Sequence, residues 1–133
     1  MKRIALRIQQ NPPEVEIVCN LFRRDGGHEK LIAFIDTGAE VSLFPLYLMD
    51  VIEAHRPVDV VLQQGGIGAL TIEAVQATVA IAFEDSQGNV TSFREVQVWF
   101  ADTEVALIGF ENVLDQGVLH IDMPALDGWL QIG

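Results

Sequence analysis

The sequence predicts an all-β chain, mainly strands with one or two short helices, arranged as a small barrel-like fold. Two observations carry that expectation. The apolar runs are short, rich in Val and Ile, and broken repeatedly by Gly, Pro, Asn and Asp turn signals. Half of the 133 residues are hydrophobic, enough to bury one core in a chain too short for two. With no internal repeats, low-complexity tracts or Ser/Pro-rich linkers, residues 1–133 read as one domain. Many strands with few helices then favour a barrel.

The elements follow in order. Lys2 to Gln9 alternates loosely and suits an edge or interface strand. Val15 to Phe22 and Leu31 to Ile35 flank Arg24-Asp25-Gly26-Gly27, a hairpin turn whose glycines tolerate positive φ. Val41 to Phe44 is a short apolar run that stops at Pro45, and Leu46 to Ala54 suits a short helix. Val58 to Gln63 is a strand. Thr71 to Phe83 and Val90 to Phe100 form a long hairpin around Asp85-Ser86-Gln87-Gly88-Asn89. Val105 to Ile108 is a short buried strand. Phe110 to Gln116 reads as a short helix closed by Gly117 as its C-cap. Val118 to Asp122 and Trp129 to Ile132 complete the strands.

Charge removes whole classes of partner. The net charge is −11, from 8 basic and 19 acidic residues. Such a surface repels phosphate backbones and anionic bilayers, so neither nucleic acid nor membrane is expected as a partner. Met1 to Arg7 begins with charge and develops no apolar stretch of signal-peptide length, and no segment reaches the length of a membrane span. The chain reads as a cytoplasmic protein. Cys19 is the single cysteine and lies in the apolar run Val15 to Phe22, which suits a buried structural thiol rather than a nucleophile.

The chemistry-bearing segment is Leu31-Ile32-Ala33-Phe34-Ile35-Asp36-Thr37-Gly38-Ala39-Glu40-Val41-Ser42-Leu43-Phe44-Pro45. An apolar strand delivers one carboxylate, Asp36, to its end. The Thr37 hydroxyl can donate or accept a hydrogen bond beside it. Gly38 lets the backbone turn tightly enough for its N–H to reach the carboxylate, and Ala39 keeps the approach open. By itself, Asp-Thr-Gly is better described as a turn in which Asp36 caps a loop; the flanking segments change that balance.

In that setting the segment resembles the active-site loop of the retropepsin-like aspartic proteases, the family of retroviral proteases and their cellular and bacterial relatives. Two further segments match in the same order. Gly65-Gly66-Ile67-Gly68, followed by a strand, resembles the family's glycine-rich flap. A phosphate-cradling loop is a poorer description, because the Lys-Ser/Thr of a P-loop is missing; a plain turn is the other alternative. Ala106-Leu107-Ile108-Gly109-Phe110-Glu111-Asn112-Val113-Leu114-Asp115 resembles the hydrophobic-hydrophobic-glycine element and the helix after it, where the glycine lets a strand pass close to the catalytic loop. The resemblance spans Val15 to Gly133. Two positions depart from it. Phe110 stands where many relatives carry Arg, which leaves Glu40 without that partner, and the flap continues Gly68-Ala69-Leu70 rather than into a second glycine pair.

The resemblance implies a closed β-barrel of the acid-protease fold and an aspartic endopeptidase that uses no cofactor and no metal. Asp36, Thr37 and Gly38 are its catalytic residues; Ala39, Glu40, Gly66, Ile67, Gly68 and Ile108 contact an extended polypeptide substrate. Val41, Leu43 and Ile108 suit apolar side-chain pockets, and suit plain core at least as well. One Asp-Thr-Gly supplies one carboxylate, and Asp102-Thr103-Glu104 fails at its third position. The implied enzyme is therefore a symmetric homodimer. The alternatives are an inactive dimerising or peptide-binding module of the same fold and, more remotely, an unrelated small β-barrel that binds a small ligand. Serine-hydrolase chemistry lacks its Gly-x-Ser-x-Gly, and His120 with Asp122 on one strand face lacks a third metal ligand.

Overall fold

A computed structural model describes residues 1–63 and 71–133. Eleven strands occupy most of them: β1 (Lys2–Ala5), β2 (Arg7–Gln10), β3 (Pro13–Phe22), β4 (His28–Ile35), β5 (Ser42–Pro45), β6 (His55–Gln63), β7 (Thr71–Glu84), β8 (Arg94–Ala101), β9 (Ala106–Ile108), β10 (Val118–Asp122) and β11 (Asp127–Ile132). The larger sheet runs β2-β3-β4-β9-β5-β8-β7-β6, and a further β3–β7 pairing joins it to itself. The closed ring is thus β3-β4-β9-β5-β8-β7, with β2 and β6 outside it. A second sheet, β1-β11-β10, is wholly antiparallel.

Alternation puts the right side chains inside. Ile17, Cys19 and Leu21 on β3, Val79, Ile81 and Phe83 on β7, and Val96, Val98 and Phe100 on β8 are all buried. Phe44 of β5 meets Phe100 of β8 edge to face, with centroids 5.9 Å apart. Ile4, Leu130 and Ile132 join the same cluster, so the small sheet lays one face on the barrel. Each such side chain contributes about 1.5–3 kcal/mol by leaving water.

Two pairings in the ring are parallel. β4 runs beside β9 with Ile35 opposite Ile108, and β5 beside β8 with Phe44 opposite Phe100. β9 also meets β5 antiparallel at Leu43–Leu107. These contacts bring the chain after β4 and the chain after β9 to one place.

Several expected elements differ in detail. Lys2 to Gln9 is two strands in two sheets, divided at Leu6, which is buried and donates its N–H to the Gly128 carbonyl. The expected helix over Leu46 to Ala54 is a single 3-10 turn, Leu46–Asp50. Just beyond it, hydrogen bonds from Arg24 N to Val51 O and from Glu53 N to Phe22 O draw the chain into extended pairing. The expected helix over Phe110 to Gln116 is a 3-10 turn at Leu114–Gln116, because Asn112 adopts φ 65°, where a right-handed helix cannot continue. Gly117 is extended rather than a left-handed cap; glycine is needed there because a Cβ would stand 2.7 Å from the Gln131 carbonyl oxygen.

The long hairpin is present, with β8 starting at Arg94. Its turn is organised by Asp85, which accepts N–H groups of Gln87, Asn89 and Ala5 and the Asn89 side-chain amide at 2.9–3.0 Å. Partial burial pushes the Asp85 carboxyl up, but those four donors outweigh it and hold the group below the ordinary carboxylate range.

Candidate active site

Asp36 follows β4 directly, and its own N–H donates to the Ile108 carbonyl at 3.0 Å, continuing the parallel β4–β9 ladder by one bond. The chain then turns within two residues. Ala39 N donates to the Asp36 carbonyl at 3.2 Å, and Gly38 N donates to Asp36 Oδ1 at 2.9 Å. That second bond holds the carboxylate over the loop, and Oδ2 accepts no hydrogen bond among the described residues. Asp36 is half-buried, whereas Thr37 and Gly38 are exposed.

A second segment braces this loop from beneath. Phe110 N donates to Ala39 O at 3.0 Å and Glu111 N to Glu40 O at 2.8 Å. Between these strands sits Gly109. A Cβ there would lie 2.6 Å from Val41 O and 2.7 Å from Ala39 O, closer than real Cβ atoms come to a carbonyl. Glycine is therefore required by close approach of backbone, not by an unusual φ. Gly109 N in turn donates to the Ser42 hydroxyl at 3.1 Å, and Ser42 is fully buried.

The sequence-predicted residues fall into three groups. Asp36, Thr37, Gly38, Ala39 and Glu40 form one contiguous loop, in which the Ala39 and Glu40 carbonyls accept from Phe110 and Glu111. Ile108 belongs to the buried core with no exposed surface, so it presents its carbonyl to the loop and not its side chain to solvent. Of the two readings of Ile108, pocket lining and core, the burial fits core; Leu43 is half-buried in a separate small cluster, packed against Ala74 and Ala101. Gly66, Ile67 and Gly68 lie outside the described residues. The strands on either side pair antiparallel as far as Gln63–Thr71.

Ser42 and Asn112 join the site without any motif to announce them. Ser42 is the lone hydroxyl in Val41-Ser42-Leu43-Phe44, and that interruption of an apolar run was the available signal. Asn112 takes its left-handed backbone conformation while its Oδ1 accepts Gln97 N at 3.0 Å, tying the segment after Gly109 to β8.

Thr37, Gly38, Ala39, Glu40, Phe110, Glu111 and Asp115 line an open depression of about 360 Å3. Phe110 is partly exposed in it, and Glu40 makes no ion pair among the described residues. A comparable depression of about 370 Å3 between β6, β7 and Leu46 contains none of the loop residues, and the chemistry does not point there. Cys19 is fully buried, and desolvation pushes its thiol far up, which removes it as a nucleophile. His120 stacks on Trp129 with Asp127 at 3.9 Å. Among the described residues no cluster of three His, Cys, Asp or Glu is placed to hold a metal, and no helix is long and apolar enough to cross a membrane.

No protein-family model matches the chain, and no curated protein matches it in sequence. Among solved structures it is similar to a retropepsin-like aspartic protease from Rickettsia conorii, with a TM-score of 0.54 and 16% identity, over 98% of this chain and 90% of that one. The fold is accordingly that of the retropepsin-like aspartic proteases: a closed six-stranded barrel with added strands.

Proposed function

We propose that this protein is an aspartic endopeptidase whose catalytic pair is Asp36 from each of two identical subunits. The observation that carries the reading is the placement of Asp36 on this fold. It stands at the end of an apolar strand, with one carboxylate oxygen held by Gly38 N–H, on a loop braced by Phe110 and Glu111. A carboxylate positioned only to cap a turn has no need of the second segment beneath it.

One carboxylate cannot run the reaction. Two at close range share one proton, because both cannot be ionised together. The charged member takes a proton from a water molecule as its oxygen attacks the peptide carbonyl carbon. The protonated member gives its proton to the carbonyl oxygen. The gem-diol collapses when the carboxyl that gained the water proton gives it to the amide nitrogen, the other carboxylate takes a gem-diol hydroxyl proton, and the C–N bond breaks to leave the acid and the amine. No acyl-enzyme forms. In this reading Thr37, next to the carboxylate and exposed, braces one loop against the other across the two-fold axis. In this reading substrate lies extended between the loop at Ala39 and Glu40 and the segment of Gly66, Ile67 and Gly68 that covers it.

The test is cleavage of a mixed peptide library from acid to neutral pH by wild type and Asp36→Asn. Cleavage abolished in the variant supports the peptidase. A folded wild-type dimer that cleaves nothing refutes it and favours a peptide-binding module, the alternative raised by the sequence departures at Phe110 and Ala69.

A further inference from the structure

β6 lies outside the closed ring and pairs along one edge, with β7. The register fixes which side chains share a face. Val60 stands opposite Ala74, and that face closes on Ala101 with Leu43 and Trp99. The other face carries Asp59 opposite Val75 and Val61 opposite Glu73. Phe100 of β8 continues it, opposite Val75.

This second face, with Leu46 beside it, forms the depression of about 370 Å3 that contains no residue of the Asp36 loop. Its floor is half-buried Val75 and buried Phe100. Its walls are apolar and open to solvent, with Val61 66% and Leu46 45% exposed. Tyr47, next in the chain, is exposed as well. Apolar side chains gathered around a hollow mark a surface that another molecule covers.

Charge says what kind of molecule. Of the four strand residues on this face, the two acids occupy one diagonal and the two valines the other. Diagonal neighbours lie about 7–8 Å apart, near enough for like charges to repel and for one cation to serve both. Neither Asp59 nor Glu73 makes an ion pair among the described residues. β7 holds no Lys or Arg, and residues 64–70 hold no Lys, Arg or His. Arg56 stands on the far side of the irregularity that separates His55 from Val58.

We propose that this depression docks a polypeptide segment in which a Lys or Arg lies between two apolar side chains on one face of an extended stretch. The cationic head bridges Asp59 and Glu73, its methylene stem lies on the valines, and the flanking apolar groups cover Leu46 and Val61. Every second residue of an extended segment shares a face, so the pattern is apolar-x-cation-x-apolar. A second copy of this chain is a poor occupant, because it brings another −11 and the same two acids. That same charge draws a cationic segment in from a distance. The inference goes beyond the peptidase reading and stands apart from it.

The experiment is fluorescence anisotropy with a labelled peptide centred on Val-Ser-Lys-Ser-Val. It is titrated with the full chain carrying Asp36→Asn, so that the probe survives. Saturable binding is expected. Glu73→Lys is expected to weaken it about tenfold. Glu95→Lys, toward the other end of β8, changes the net charge equally and is expected to stay within about twofold. Both side chains are exposed, and circular dichroism checks that each variant is folded. A probe with Glu in place of Lys is expected not to bind, and one with Ser in place of both Val to bind about tenfold more weakly. Three results overturn the inference: no binding of the first probe by the folded chain, equal losses in Glu73→Lys and Glu95→Lys, or equal affinity for the probe without Val. Cleavage of the peptide library bears on the peptidase alone. A chain that docks the probe and cleaves nothing keeps this site, and one that cleaves but fails to dock loses it.

Discussion

Replacing Gly109 by alanine tests the architecture of the site with a single methyl group. The new Cβ would meet Val41 O at 2.6 Å, Ala39 O at 2.7 Å and Val41 C at 2.8 Å, all backbone atoms that no rotamer change can clear. Reaching even 3.0 Å requires the two segments to part by about 0.4 Å. Overpacking of this kind costs about 1–3 kcal/mol. Parting the segments also stretches Gly109 N to Ser42 Oγ and Phe110 N to Ala39 O, each contributing about 1 kcal/mol. The expected loss is about 3–5 kcal/mol, a large share of the roughly 5–15 kcal/mol available to a domain. At a urea slope of about 2 kcal/mol/M, the midpoint falls by about 1.5–2.5 M. Urea denaturation followed by tryptophan fluorescence reads this directly. Gly38→Ala is the control: its Cβ would meet only Asp36 Oδ1, at 3.3 Å, so stability should change by less than about 1 kcal/mol even though the loop beside the carboxylate is altered. If Gly109→Ala unfolds at the wild-type midpoint, the two segments do not approach as described and the bracing of Asp36 fails with them.

Three further outcomes are expected. Ser42→Ala leaves the buried Gly109 N–H without its acceptor and should cost about 1–3 kcal/mol in the same urea assay. Asp85→Asn should destabilise by about 1–3 kcal/mol at neutral pH. Because the Asp85 carboxyl is held low in the folded chain, its contribution is present above the unfolded value and is lost as pH falls through the folded one. The gap between wild type and Asp85→Asn should therefore narrow below about pH 4, and a gap that is unchanged at pH 3 would refute the assignment. Cys19 should resist a thiol reagent in native buffer at pH 8 and react only as the chain unfolds, since burial pushes its thiol up; fast labelling of folded protein would place it elsewhere.

The strand pattern was readable because alternation is a local property. Ile17, Cys19 and Leu21 alternate with polar or half-buried neighbours in sequence as they do in β3, and Asp-Ser-Gln-Gly-Asn announces its own turn. The 3-10 turns were not readable. Leu46 to Ala54 has the composition of a helix, and pairing with Phe22 and Arg24, far away in the chain, is the cause of its shortening. Ile108 shows the same limit at the site: an apolar residue beside a conspicuous glycine suits a pocket wall or a core, and only burial distinguishes them.

By itself, then, the sequence determined the all-β class, most of the strands, and the Asp36-Thr37-Gly38 turn after an apolar strand. These come from side-chain period and from the few residues that tolerate tight turns, both written within a handful of neighbours. Only the tertiary structure decided the parallel pairings of β4 with β9 and β5 with β8, and the buried Ser42 hydroxyl beneath Gly109. Those depend on which distant segments meet, and nothing in a local run of residues records its partner.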